Sequence, residues 1–270
     1  MPNILKPVVV AILFAAASGL NAESTPDAVD LSSFPAKAID DVVVPVPSEV
    51  FLVLDKLGNP NWRGEMRESL GRQTGNRAQT ALLLGTVIAE GFVAVEAEDP
   101  EKVKDIGRRV LSLSKAINVE KAVLERSKSI IDKADLKDWK AVRKEFDGAL
   151  QDVKGAMIEL GDGDLAQLVS VGGWIRGTEV LTSIVRKSYT TDGAELLHQP
   201  ALVSFFSKKL ESMSNRRLAD NDLVIRIRKM LTSIRPLIGD EDGAPIPAEN
   251  VKKIHQLTRD IVVSITSQES

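Results

Sequence analysis

Three ionisable residues stand where charge is costly. Glu90 falls within the apolar segment 76–97 (NRAQTALLLGTVIAEGFVAVEA), while Arg176 and Glu179 fall within a second one, 164–188 (DLAQLVSVGGWIRGTEVLTSIVRKS). Charges removed from water are tolerated only when paired and hydrogen-bonded, so Glu90 needs a cation, and Arg176 is the obvious partner. Arg176 and Glu179 are three positions apart and share a helix face. Two chemistries fit this trio. One is a structural ion network that fixes helix register. The other is a polar pocket in which a carboxylate of shifted pKa binds a ligand or moves a proton. Nothing else in the sequence completes a recognisable catalytic set, which favours the structural version and leaves Glu90, Arg176 and Glu179 as candidate ligand-binding residues.

The remaining inventory removes whole classes of chemistry. The chain has 270 residues and no cysteine. A disulfide, a thiol nucleophile, an iron–sulfur cluster and a thiolate zinc site are therefore excluded. The two histidines, His198 and His255, are 57 positions apart and cannot by themselves form a three-histidine metal centre. They read as packing or hydrogen-bonding residues. No P-loop, H-E-x-x-H, EF-hand or G-x-S-x-G pattern is present, and no motif implies a metal or a cofactor. Aromatic residues make up 4% of the chain, too few for the stacking platforms of glycan or single-stranded nucleic acid binding. Trp139 and Trp174 fall on core-facing helical positions, and Trp62, beside the Asn59-Pro60-Asn61 turn, is expected to be exposed.

Charge is distributed unevenly. The net charge is −3, which argues against a nucleic-acid-binding polycation. Yet Lys208, Lys209, Arg216, Arg217, Arg226, Arg228, Lys229 and Arg235 crowd into residues 207–235 against only Glu211, Asp220 and Asp222. A second group, Arg63, Arg67, Arg72 and Arg77, surrounds the turn before the first apolar segment. Either could present an anion-facing surface to lipid headgroups or an acidic partner. The plainer alternative is a solvated face with scattered intramolecular pairs.

The elements that must position these residues are helical. Apolar residues recur every three or four positions in Val103, Ile106, Val110, Leu113 and Ile117, in Val142, Phe146, Ala149 and Val153, and in Val251, Ile254, Leu257, Ile261 and Ile265. Helices are predicted over 48–57, 76–97, 100–117, 119–134, 136–160, 164–188, 194–213, 221–238 and 248–267. Hairpin-bounded alternating runs are absent. The expectation is an all-α bundle of about eight to ten helices with two central, apolar, glycine-containing helices. No stretch after the N-terminus is expected to reach transmembrane length. In each central helix small residues recur every four positions: Ala81, Gly85 and Ala89 in one, Gly173 and Gly177 in the other. Glycine inside a helix costs up to about 1 kcal/mol relative to alanine, so a close helix crossing should offset it.

The N-terminus carries an address. In residues 1–22 (MPNILKPVVVAILFAAASGLNA), Lys6 precedes an apolar run that ends in small residues. This reads as a cleavable secretory signal peptide, cut after Ala22, which directs the chain to a periplasm or outside the cell. The run is shorter than the roughly 20 residues of a membrane-spanning helix. Residues 23–47 read as an extended or mobile leader with alternating prolines, and 48–270 as a single helical domain. The functional expectation is an exported, non-enzymatic binding or scaffold module of the cell envelope. Its partner would be a protein or small molecule and not nucleic acid. Two alternatives stand beside it: a small-molecule binder or enzyme using the Glu90/Arg176/Glu179 cluster, and a peripheral membrane-surface protein using the basic 208–235 face.

Overall fold

The structure, a computed structural model, describes the backbone of residues 37–39 and 42–44, and residues 60–239 and 244–267 in full. The expected signal peptide (1–22) and the helix expected over 48–57 lie outside the described residues. Within the expected leader, β1 (Lys37–Ile39) and β2 (Val42–Val44) pair as a short antiparallel ladder with Lys37 opposite Val44. A run of β-branched valines explains the pairing. It corrects the expectation that no hairpin occurs.

Eleven α-helices follow among the described residues, eight of them at least 12 residues long, so the chain is an all-α bundle as expected. In chain order they are α1 (Trp62–Glu65), α2 (Arg77–Glu96), α3 (Pro100–Ala116), α4 (Glu120–Asp135), α5 (Trp139–Glu159) and α6 (Gly163–Lys187). Then come α7 (Thr191–Glu195), α8 (Pro200–Glu211), α9 (Arg216–Ala219), α10 (Asp222–Ile234) and α11 (Ala248–Thr266). Their starts follow capping chemistry. Asn76 accepts from the Gln79 amide and Asp138 from the Ala141 amide, while Asp99 caps Lys102 ahead of Pro100. Two predicted helices are broken by proline. Residues 194–213 split into α7 and α8 because Pro200 opens a new first turn, and 221–238 gives way at Pro236 to a 3₁₀ turn, Arg235–Leu237.

Helix α2 is the axis of the bundle. It has the length and apolarity of a membrane span, contrary to the sequence expectation, but every residue from Ala78 to Val95 is buried beneath its neighbours. Its most extensive partner is α6. Helices α3, α4 and α5 form an antiparallel layer on one side, with α4 outermost, and α11 packs against α6 and α2 on the other, backed by α10 and α8. These helices all belong to one compact unit, Phe34–Ser270.

The predicted close crossing of α2 and α6 is present, one residue out of register on α6. A Cβ added at Gly85 would lie 1.9 Å from the Val169 carbonyl oxygen, and one at Gly172 would lie 2.1 Å from the Leu82 carbonyl oxygen. Gly173 faces Gly85, whereas Gly177 has nothing within 4 Å. The seam on α6 runs Val169, Gly172, Gly173, Arg176, the i, i+3, i+4, i+7 spacing of a single helix face, and so leaves Gly177 on the adjoining one. Trp62, expected at the surface, is 7% exposed and joins the core, while Leu160, just past the end of α5, is 58% exposed.

Candidate functional site

The same α2–α6 seam carries the ion network. Beyond the glycines, Glu90 of α2 and Arg176 of α6 meet at 2.7 Å with exposures of 1% and 3%. Arg176 donates through Nε to Glu90 Oε2 (2.8 Å), through Nη1 to Glu179 Oε2 (2.9 Å) and through Nη2 to the Glu65 carbonyl (2.6 Å). The second Glu90 oxygen accepts the Arg67 backbone amide at 2.6 Å. The three sequence candidates are thus brought together, and the network also fastens the α1–α2 connection across the end of the seam.

That connection is held at further points. Lys102 donates to the Arg67 carbonyl (2.6 Å), Arg109 to the Gly71 carbonyl (2.8 Å), and Arg67 Nη2 to Thr266 Oγ1 (3.0 Å). Gly71 takes φ +77°, a conformation that glycine adopts without penalty. The electrostatics are set by burial. Desolvation alone would lower the Arg176 pKa, but Glu90 and then Glu179 outweigh it and raise the guanidinium above its ordinary value. For Arg67 the balance reverses: desolvation lowers its pKa, and the attraction of Glu179, 3.8 Å away, does not restore it.

Above this floor lies a cavity of about 440 Å³, lined by the α1–α2 connection, α6 and α11. Its wall includes Arg67, Arg186, Lys187 and Arg259 alongside Glu65, Glu68, Ser183 and His255. Lys187 is paired with Glu65. Arg186 and Arg259 make no ion pair or hydrogen bond among the described residues. His255, 8% exposed, sits with Nδ1 3.3 Å from the Glu179 carbonyl and 3.2 Å from Thr182 Oγ1. A carbonyl can only accept, so Nδ1 carries the hydrogen. Burial and then the nearby Arg186 push the His255 pKa below its ordinary value, and the imidazole is neutral at pH 7.

Of these groups, sequence reasoning missed Arg186, Lys187, His255 and Arg259 as site residues. Half of the signal was present on α6. Arg176, Glu179, Ser183 and Arg186 follow one another at intervals of three, four and three, a polar stripe along an otherwise apolar helix. The contribution of α11 depends on tertiary packing.

Other candidates lie elsewhere. Arg63 pairs with Asp99 (3.1 Å) and Arg77 with Asp162 (2.8 Å), so those members of the first arginine group form structural bridges and not a free anion-facing surface. In the basic 208–235 run, Arg226 donates to Ser264 Oγ, Arg228 to the Ala219 carbonyl and Arg235 to the Gly239 carbonyl, and Lys209 lies 5.4 Å from the Phe205 ring centre. Lys208, Arg216, Arg217 and Lys229 are exposed. His198 approaches Glu195 at 3.4 Å, and no cluster that could hold a metal occurs among the described residues. Comparisons with protein-family models, curated proteins and solved structures find no match, so functional inference rests on the geometry of the site.

Proposed function

We propose that the chain is an exported, non-enzymatic binding module whose ligand-facing site is the cavity between the α1–α2 connection, α6 and α11. The observation that supports this reading is the combination of an open cavity of about 440 Å³ with a floor whose charges are already mutually bonded. A volume of this order suits a small molecule. A general acid or base needs a carboxylate or imidazole with a free proton position near its substrate. Glu90 and Glu179 are instead held by guanidinium groups, and the His255 Nδ1 is committed to a carbonyl, which leaves only its Nε2 among these three residues to take up a proton. Export rests on the apolar, small-residue character of residues 1–22.

A thermal-shift screen of the purified protein against metabolites and metal ions tests the reading. The expected result is stabilisation by one ligand class, with the ligand recovered chemically unchanged after prolonged incubation. Conversion of the ligand would replace the binding module with an enzyme. A peripheral membrane role is favoured by a different observation, the absence of ion pairs for Lys208, Arg216, Arg217 and Lys229 among the described residues. Salt-sensitive co-sedimentation with anionic vesicles would support it, and indifference to vesicles would remove it.

A further inference from the structure

We infer that the cavity takes a small organic anion, whose carboxylate or phosphate group is seated between Arg186 and Arg259. The inference rests on the reading of the cavity as a binding site and adds the chemistry of its occupant.

Pairing accounts for most of the charge around the cavity. Glu90 and Glu179 take up Arg176, Glu179 also attracts Arg67, and Glu65 takes up Lys187. What remains is Arg186 at the end of α6 and Arg259 on α11, opposed only by the exposed Glu68. Both arginines reach the same wall: Arg186 continues the Glu179–Ser183 stripe of α6, and Arg259 lies one turn beyond His255 on α11. Arg259 also acts on Arg67, whose Nε is buried without an acceptor among the described residues. Three guanidinium groups therefore line one concavity, and two of them, Arg186 and Arg259, have no acceptor among the described residues. Cations repel one another, and an arrangement of this kind is relieved by an anion. Guanidinium groups favour planar, two-oxygen acceptors, which carboxylates and phosphates supply.

The basic 208–235 run lines a second cavity, of about 650 Å³, with Lys208 and Arg235, but Arg235 is already bonded to the Gly239 carbonyl, so that cavity does not hold two cations without acceptors. Three of the run's arginines donate to neutral oxygens of neighbouring elements.

Isothermal titration of the purified protein with sodium succinate, inorganic phosphate and glycerol tests the inference. Succinate or phosphate should bind at one site per chain and glycerol should not. Which anion binds more tightly identifies the carboxylate or the phosphate as the natural group. The double variant Arg186→Gln/Arg259→Gln should weaken binding at least tenfold without lowering the melting temperature of the unliganded protein, because both side chains are exposed and neither has a partner to lose among the described residues. The control Lys208→Gln/Lys229→Gln removes the same charge elsewhere and should bind as the parent does. Equal weakening by both double variants, or no one-site binding of either anion, overturns the inference. A neutral ligand that binds the cavity would overturn it while leaving the binding module intact. An anion that binds through the arginines and is chemically converted would do the reverse.

Discussion

Two arginine-centred networks in this molecule share a composition and differ in setting. Arg176 is bonded to Glu90 and Glu179, and Arg126, on α4, is bonded to Glu145 and Asp152 on α5. Each joins helices through one guanidinium and two carboxylates, and in each the arginine pKa is raised. The side chains of the first are 3%, 1% and 9% exposed, and those of the second 34%, 18% and 36%. Water can replace a lost partner around Arg126 far more readily than around Arg176. The lesson is that an ion network's contribution lies less in its attraction than in what its loss would leave stranded.

The largest effect that tests this contrast is expected at Arg176. Arg176→Ala should cost about 3–5 kcal/mol, because Glu90 would remain buried without a counter-charge, Glu179 would keep only Arg67 at 3.8 Å and the Glu65 carbonyl would lose its donor. That is a large share of the roughly 5–15 kcal/mol that stabilises a typical protein. Urea unfolding measures it. Should Arg176→Ala fail to fold, Glu90→Gln provides the milder comparison, keeping the shape while removing one charge, with an expected cost of about 1–3 kcal/mol. A loss below about 1 kcal/mol at Arg176 would break the contrast. Arg176→Lys should not restore stability, since one ammonium cannot reach Glu90, Glu179 and the Glu65 carbonyl in their fixed directions.

The buried network was also the part of the site most legible in the sequence. A carboxylate in one apolar helix and an arginine in another, 86 positions away, had to meet once both helices were central. The helices themselves were readable from the three- and four-residue spacing of their apolar residues, whereas Asn76 and Asp138, inside the predicted helices 76–97 and 136–160, prove to be their caps. Several of their ends were not readable. Glu98, Asn118 and Lys137 take φ of 49°, 66° and 56°, closing helices with residues that do not advertise the left-handed conformation as glycine does. Choosing between Gly172 and Gly177 needed the angle at which α6 crosses α2, which no single helix encodes. The cavity was hidden for a similar reason. Arg186 and Arg259 are ordinary exposed arginines on their own helices and acquire a common role only because α11 packs beside α6.

The exposed network should respond on a smaller scale. Arg126→Ala is expected to cost about 0.5–1 kcal/mol, since exposed pairs rarely contribute more. The deficit should shrink further in about 1 M salt, where surface attractions are screened within a few ångströms. The Arg176→Ala deficit should largely persist at that salt concentration, because side chains 1–9% exposed are screened far less than surface ones. Parallel urea titrations at low and high salt make the comparison direct, and a salt-insensitive Arg126→Ala deficit would show that Arg126 acts through packing and not charge.

The smallest effect belongs to Gly148, the residue of α5 that makes room for the Arg126 guanidinium. An alanine Cβ there would lie 2.3 Å from Arg126 Cζ, so the side chain must swing aside and its two ion pairs must weaken. Against that loss stands the helix preference for alanine over glycine, worth up to about 1 kcal/mol in a helix interior. The two terms are similar in size and opposite in sign, and Gly148→Ala should change stability by no more than about 0.5 kcal/mol. The double variant separates them. With the guanidinium already removed, adding Gly148→Ala to Arg126→Ala meets no obstruction and should recover about 0.5–1 kcal/mol, making the double variant more stable than Arg126→Ala alone. The same substitution at Gly85 offers no such escape, because its Cβ would meet the Val169 backbone oxygen instead of the end of a flexible side chain. A Gly148→Ala loss as large as that of Gly85→Ala would mean that the α4–α5 interface is as rigid as the central crossing, and the difference between the two arginine networks would then reflect packing and not access to water.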